Sequence, residues 1–270
     1  MTKFKVTCTE DNKVFVVTSA FSKLYKKFKD FKNQRGRIIL IIGSPGTGKS
    51  SNIYHALNIL DIKEYDVELK LSGIKISPQK VFEEFISTLK RDFNTKTKEE
   101  SYNEFSKFDT ILFADKLLES GDLNKNRIEL SEWLRYNRFK SIILYLIMIK
   151  EFLMHLNYLN KVNLVFHLTW TFIFKNKKYD ILSDFSLLSI LLTGFLKVFF
   201  EVVEIKYTEL ETIEIVKTHF EGVNDTQIKH YIRKYGNRPR YILEAIDNNL
   251  ITLKATHSNI KSAEPVCKQR

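Results

Sequence analysis

Along most of the chain, short apolar runs of strand length alternate with longer stretches whose apolar positions recur at helical spacing. Lys3 to Val6 and Val14 to Thr18 read as strands around a Glu10-Asp11-Asn12 turn. Ser19 stands where a helix cap belongs, and a helix is expected from there to about Gln34. Phe21, Leu24, Phe28 and Phe31 fall on one stripe of it, with Lys23, Lys26, Lys27, Lys29 and Lys32 on the rest. Arg37 to Ile42 predicts a strand, apolar from Ile38 on, followed by a helix from Gly48 to about Leu60. Tyr65 to Leu71 alternates and reads as another strand. Ser77 as cap and Pro78 at the first position open a helix to about Phe93, turning Val81, Phe82, Phe85, Ile86 and Leu89 inward.

Thr110 to Ala114 is a short apolar strand ending at Asp115, and Glu119 to Arg127 is polar and loop-like. Ser131 to about Tyr158 is mostly helical, Val162 to Thr169 a strand, Ser183 to Phe199 a hydrophobic helix and Glu201 to Tyr207 a strand. Past Tyr207 the pattern changes. Thr208-Glu209-Leu210-Glu211 is a capping box opening a helix to about Phe220. Asp225 is the expected cap of a second helix ending at Gly236, and Pro239 lies near the start of a third, to about Asn249.

Strands alternating with helices, then an all-helical end, predict an α/β fold: a parallel-sheet core with a small C-terminal helical lid. The expected divisions are a strand and helix extension over 1–36, the core over 37–207, the lid over 208–250, and a polar, aperiodic, disordered tail over 251–270.

Composition narrows the classes. Apolar residues make up 44% of the 270 residues, with 21 Phe and 12 Tyr, enough for a sizeable core in a globular protein. The net charge of +11 fits a nucleic acid or another polyanion as partner, with a chain from a Lys-, Ile- and Asn-heavy proteome, in which basic chains are common, as the plainer reading. Cys8 and Cys267, near opposite ends, make neither a metal site nor a disulfide framework, as expected of a cytoplasmic protein. No apolar run follows Met1, so no signal peptide is expected. Ser141 to Ile149 and Phe185 to Leu196 are uncharged but too short to span a bilayer, and no membrane insertion is expected.

The most specific signal is Gly43-Ser44-Pro45-Gly46-Thr47-Gly48-Lys49-Ser50, with Ser51 following. Glycines at these spacings let successive backbone N–H groups turn inward on phosphate oxygens, and the following helix adds the positive end of its dipole. In such a loop Lys49 reaches the β- and γ-phosphates, and the Ser50 hydroxyl ligates Mg²⁺. The required context is present: the Ile38 to Ile42 strand before, and Ile53, Tyr54, Ala56 and Leu57 on a helix after. ATP with Mg²⁺ is the expected ligand, because no Asn-Lys-x-Asp guanine signature occurs. The metal needs an acid at the tip of a neighbouring strand. Asp115 is the first candidate, with a helix cap as its ordinary alternative, and Asp66 the weaker one.

The loop, the strand ending in Asp115, a later strand with threonines and the Gly236-Asn237-Arg238-Pro239-Arg240 segment together resemble an AAA-plus ATPase of archaeal type, over about Arg37 to Asn249. The resemblance implies that Asp115 is the Walker B acid. It makes Thr169 or Thr171 the sensor-1 residue that reads the γ-phosphate, and Arg240 the sensor-2 arginine, with Arg238 as substitute. Two departures stand out. Lys116 occupies the position of the family's water-polarising Glu and cannot accept a proton while charged, leaving Glu119, one turn later, as its stand-in. Arg238 is one residue inserted into the family's Gly-Asn-Pro-Arg run. Arg127, Arg135 and Arg138 lie where an arginine finger would, with surface charge the plainer reading, and His167, Trp133 and Trp170 read as packing residues.

Three functions follow. The first is an ATPase or slow ATP-dependent switch on a macromolecular partner, DNA or a second copy of the chain among them. The second is a P-loop kinase acting on a small acceptor, with the Glu119 to Arg138 segment as its lid. The third is an ATP-binding module without turnover.

Overall fold

The computed structural model describes residues 5–8, 14–67, 69–113, 128–130, 133, 137–168, 171–174, 177–180 and 186–248. The chain opens with an antiparallel hairpin of β1 (Lys5–Cys8) and β2 (Val14–Val17), then α1 (Ser19–Phe28), β3 (Ile38–Ile42) and α2 (Lys49–Ile59). Next come β4 (Glu64–Asp66), β5 (Lys70–Leu71), α3 (Pro78–Asp92), α4 (Lys98–Phe105), β6 (Thr110–Phe113) and β7 (Ile128–Glu129). The helices α5 (Arg138–Met154) and α6 (Leu156–Leu159) lead to β8 (Asn163–Leu168), the hairpin strands β9 (Thr171–Phe174) and β10 (Lys177–Asp180), α7 (Ser186–Phe199) and β11 (Glu201–Glu204). Three helices follow: α8 (Glu209–His219), α9 (Asp225–Tyr235) and α10 (239–248).

Two compact units divide these elements. One takes Ser19–Pro45 and Lys49–Ile205, the other Met1–Thr18, Gly46–Gly48 and Lys206–Arg270. The first is built on a five-stranded sheet in the order β11-β3-β8-β6-β4. Every pairing in it is parallel, with Ile42 opposite both Glu204 and Leu168, and Phe113 opposite Phe166. This is the α/β, parallel-sheet architecture expected of a P-loop core. A strand covered on both faces must be apolar throughout, and the Ile38–Ile42 run meets that demand: Ile39, Ile41 and Ile42 are completely buried. Leu89, Tyr102, Phe105, Ile111, Trp133 and Val162 centre the main cluster of this unit. The helical unit has its own core of Ile213, Val216, Ile228, Ile242 and Ile246.

The amino edge of the sheet is tied by polar groups. Asn163, wholly buried at the start of β8, accepts from the Arg37 N–H at 3.1 Å and donates to the carbonyls of Phe31 and Asp109, each at 3.1 Å. Arg37 in turn grips Glu201 of β11, with Lys27 of α1 on the same carboxylate.

The caps at Ser77 and Thr208 form as expected: Ser77 Oγ accepts from Lys80 N–H, and Thr208 and Glu211 bond reciprocally. Other boundaries differ. α1 stops at Phe28 and not near Gln34, because the chain turns through Phe31 N–H on Phe28 O, and Asn163 takes the Phe31 carbonyl. The expected Tyr65 to Leu71 strand is two: β4 pairs with β6, and after Val67 the chain leaves the sheet to pair β5 antiparallel with β7. The expected Ser131 to Tyr158 helix is described as α5 and α6, divided at His155. The cap of α9 is Asn224, whose Oδ1 accepts from Gln227 N–H at 2.9 Å, with Asp225 inside the first turn. Among the described residues no helix is long and apolar enough to cross a membrane. The 251–270 tail and the Glu10-Asp11-Asn12 turn lie outside them.

Candidate functional site

β3 delivers the chain to Gly43 at the carboxyl edge of the sheet, with β8 on one side and β11 on the other. From there the backbone curls through Gly46 (φ 86°) and Gly48 (φ 68°), left-handed conformations that side chains disfavour. α2 then begins at Lys49. The Lys49 side chain is 5% exposed, and its ammonium donates back to the carbonyl oxygens of Gly43 and Ser44, the latter at 3.1 Å. Ser44 and Thr47 are buried as well, Ser50 is half-buried, and Gly48 and Ser51 are exposed. A cation is thus drawn into the curl of the loop and held by neutral oxygens, a setting in which an anion is well compensated. The N–H groups of the first turn of α2, which no helical carbonyl can reach, open from the same curl.

A Cβ at Gly46 would stand 3.3 Å from Cδ2 and Cε2 of Tyr241, a tight contact added to a left-handed φ, so this position favours glycine. The topology agrees. The connection leaving β3 runs toward β4 at one edge, whereas the one leaving β8 runs past β3 to β11 at the other. Ligands of open parallel sheets sit at the carboxyl ends of strands where such connections diverge.

The other expected site residues are distributed unevenly. β6 ends at Phe113 and β8 at Leu168, on the same sheet edge as Ile42. Asp115, Lys116, Glu119 and Thr169, which follow those ends in sequence, lie outside the described residues, as do Arg127, Arg135 and Trp170. Thr171 opens the β9–β10 hairpin, Arg138 opens α5, and His167 lies opposite Ile41 in the strand register. Trp133 is fully buried, its indole N–H donating to Ile76 O at 3.2 Å, which makes it a packing residue. Asp66 ends the edge strand β4, separated from β3 by β8 and β6, or ~14 Å at the usual strand spacing. Its carboxylate accepts from the Tyr54 hydroxyl of α2. Among the described residues no group of three His, Cys, Asp or Glu could hold a metal.

Arg240 meets the loop through its backbone. Its N–H, at the start of α10 where no helical partner exists, donates to Gly46 O at 3.1 Å. Its guanidinium, 44% exposed, donates from Nε to Glu244 at 2.8 Å. Arg238 caps the helix by main chain, its carbonyl accepting from Tyr241 and Ile242. The residue that sequence reasoning missed is Tyr241. Burial raises its phenol pKa, against the lowering influence of Arg238 and Arg240. On α2, burial lowers the pKa of His55, whose ring packs against Phe21 at 5.4 Å.

Neither a family model nor a curated protein matches this chain. Several solved structures are similar to it, these two among them. One, a crystal structure of a DNA replication initiation factor, is 18% identical, with 92% of this chain and 65% of that one covered at a TM-score of 0.46. The other, a structure of Drosophila ORC bound to DNA, is 14% identical, with 83% and 52% covered at a TM-score of 0.44. The chain thus spans less than two thirds of either.

Proposed function

We propose that the chain is an ATP-binding, AAA-plus-like ATPase of low intrinsic turnover, acting as a nucleotide switch on a macromolecular partner. The observation that carries this reading is Lys49, buried in the curl of a glycine loop at the carboxyl end of a central parallel strand. In it, the backbone N–H groups of Gly43 to Ser51 and the Lys49 ammonium hold the phosphates of ATP. Ser50 and Asp115 hold Mg²⁺. Thr169 would contact the γ-phosphate end, and Arg240 would be the sensor-2 arginine. The bound nucleotide supplies a γ-phosphoryl group for transfer to water.

Lys116 supports slow transfer. General-base help needs a group that can take a proton near neutrality, and an ammonium after Asp115 cannot. Glu119 is the nearest carboxylate that could replace it. The same lysine favours the second reading, a module that binds ATP without turnover. A macromolecular partner is supported by the +11 charge, which suits DNA or another polyanion. It is supported also by the exposed Ile143, Leu146 and Leu153 of α5 and Leu191, Phe195 and Val198 of α7.

Phosphate release from Mg-ATP by the full chain, alone and with single- or double-stranded DNA, tests the proposal. Slow release that DNA accelerates is expected. Binding with no release under any condition would move the conclusion to the second reading, and absence of binding would end both.

A further inference from the structure

We infer that Tyr241 is a positioning residue that sets how long the loop holds its nucleotide, by seating the start of α10 on Gly46. The inference rests on the reading of the loop as a nucleotide site. Three observations in the helical unit carry it: the Arg240 N–H on Gly46 O at 3.1 Å, the Tyr241 ring against Gly46 where a Cβ would meet it at 3.3 Å, and the Gly46 φ of 86°.

A trans peptide is planar, with its C=O and N–H pointing opposite ways, and the described chain has no cis bond. Fixing the Gly46 carbonyl on Arg240 therefore fixes the Thr47 N–H away from α10. Thr47 N–H is one of the loop donors that the phosphate would meet. Its direction is determined by a hydrogen bond from a remote helix as well as by the loop. Glycine makes this bond necessary, since a residue able to adopt either sign of φ rotates its flanking peptides at little cost. A single hydrogen bond at a helix end frays easily. The Tyr241 ring stands against Gly46 where a Cβ would meet it, and packing there keeps the two backbones in register.

Removal of the ring leaves the Gly46–Thr47 peptide to be ordered by the ligand, and affinity falls by that ordering cost. Loss of this seating is expected to weaken binding about tenfold, equivalent to about 1.4 kcal/mol. The loss should appear in dissociation, because the charge that attracts the nucleotide is untouched. The guanidinium of Arg240, held by Glu244, plays no part in this contact.

The experiment measures dissociation of a fluorescent ATP analogue with Mg²⁺ from the full chain by stopped flow, well below each variant's melting temperature. Tyr241→Ala is expected to release it about tenfold faster, and Tyr241→Phe, which keeps the ring, to restore slow release. A purely structural role would lower the melting temperature and leave the dissociation rate alone. Lys49→Ala runs alongside. If it abolishes binding while Tyr241→Ala releases at the wild-type rate, the inference is wrong and the loop reading stands. If Lys49→Ala binds as the parent does, both fall. Should Tyr241→Ala fail to fold, Tyr241→Leu takes its place under the same criteria.

Discussion

Arg37 holds both carboxylate oxygens of Glu201, Nε on Oε1 at 2.6 Å and Nη2 on Oε2 at 2.7 Å. The pair joins the start of β3 to the start of β11, and Lys27 of α1 completes it at 2.8 Å. Hydrogen bonding from Arg37 is the main reason the Glu201 carboxyl lies near 2, against an ordinary 4.5; partial burial opposes it, and Lys27 adds to the lowering. The folded state therefore takes up a proton less readily than the unfolded chain. The contribution of the pair is complete above pH 4.5 and is lost as pH falls from there through about 2. Glu201→Gln should lower stability at pH 7 by about 1–2 kcal/mol, the value of a charged hydrogen-bonded pair discounted for solvent access. The deficit should shrink steadily below pH 4.5, as denaturant titrations across that range would show. A deficit independent of pH would mean that the carboxylate charge is not what matters.

Asn163 sits at the opposite edge of the sheet from the glycine loop and satisfies three backbone groups with one buried amide. Asn163→Ala leaves the Arg37 N–H and the Phe31 carbonyl short of a partner, at about 1–3 kcal/mol for each group left unsatisfied, while the Asp109 carbonyl keeps the main-chain N–H of position 163. A loss of at least about 2 kcal/mol is expected in urea unfolding. Nucleotide affinity in the folded fraction should not change. If it did, the two edges of the sheet would be coupled in a way the parallel register does not suggest.

Gly36 and Gly222 separate strain from collision. Both have left-handed φ, at 75° and 86°. An alanine Cβ at Gly36 would lie 2.9 Å from the Asn160 carbonyl oxygen, whereas at Gly222 nothing stands within 4 Å. Gly222→Ala should cost only the conformational penalty of about 1 kcal/mol. Gly36→Ala should cost more than twice that, because a backbone oxygen must move while Gly36 N–H still reaches Val162 O at 3.2 Å. Equal melting temperatures for the two variants would refute the distinction.

What was legible in the chain was what neighbours in sequence decide. The Ser77-Pro78 start, the Thr208 to Glu211 box and the glycine loop between an apolar strand and a helix need only local geometry, and they form where their residues place them. Thr97-Lys98-Glu99-Glu100 carries the same kind of signal, and its reciprocal bonds do cap α4, yet it lies in a polar stretch with no strong helical periodicity and went unread. Other features depend on distant partners. The break after Val67 exists because β6 offers pairing only as far as Leu112, whose carbonyl takes the Val67 N–H, while β7 offers it again to Leu71. Tyr241 had no distinguishing sequence context. Its meaning comes from Gly46, which lies far away along the chain. At Arg240 the backbone N–H meets Gly46 and the neighbouring Tyr241 ring lies against it, while the guanidinium bonds Glu244, contacts that no local signal announces.

Lys116 is where the proposed chemistry is most exposed to a direct test. It follows Asp115, the acid proposed to share Mg²⁺ with Ser50, and it brings a positive charge to the position where water would need a base. Lys116→Glu replaces that charge with a group able to accept a proton, and positioned general bases typically contribute 10²- to 10⁴-fold. A base introduced by a single substitution is not positioned as an evolved one is, so a gain of about tenfold in phosphate release, below that range, is expected. Steady-state release measured at saturating Mg-ATP checks it, with ATP affinity measured in parallel to separate turnover from binding. Asp115→Asn in the same background should remove the gain and weaken the Mg²⁺ dependence. An unchanged rate in Lys116→Glu, with affinity intact, would mean that Asp115 does not mark the metal side of the site.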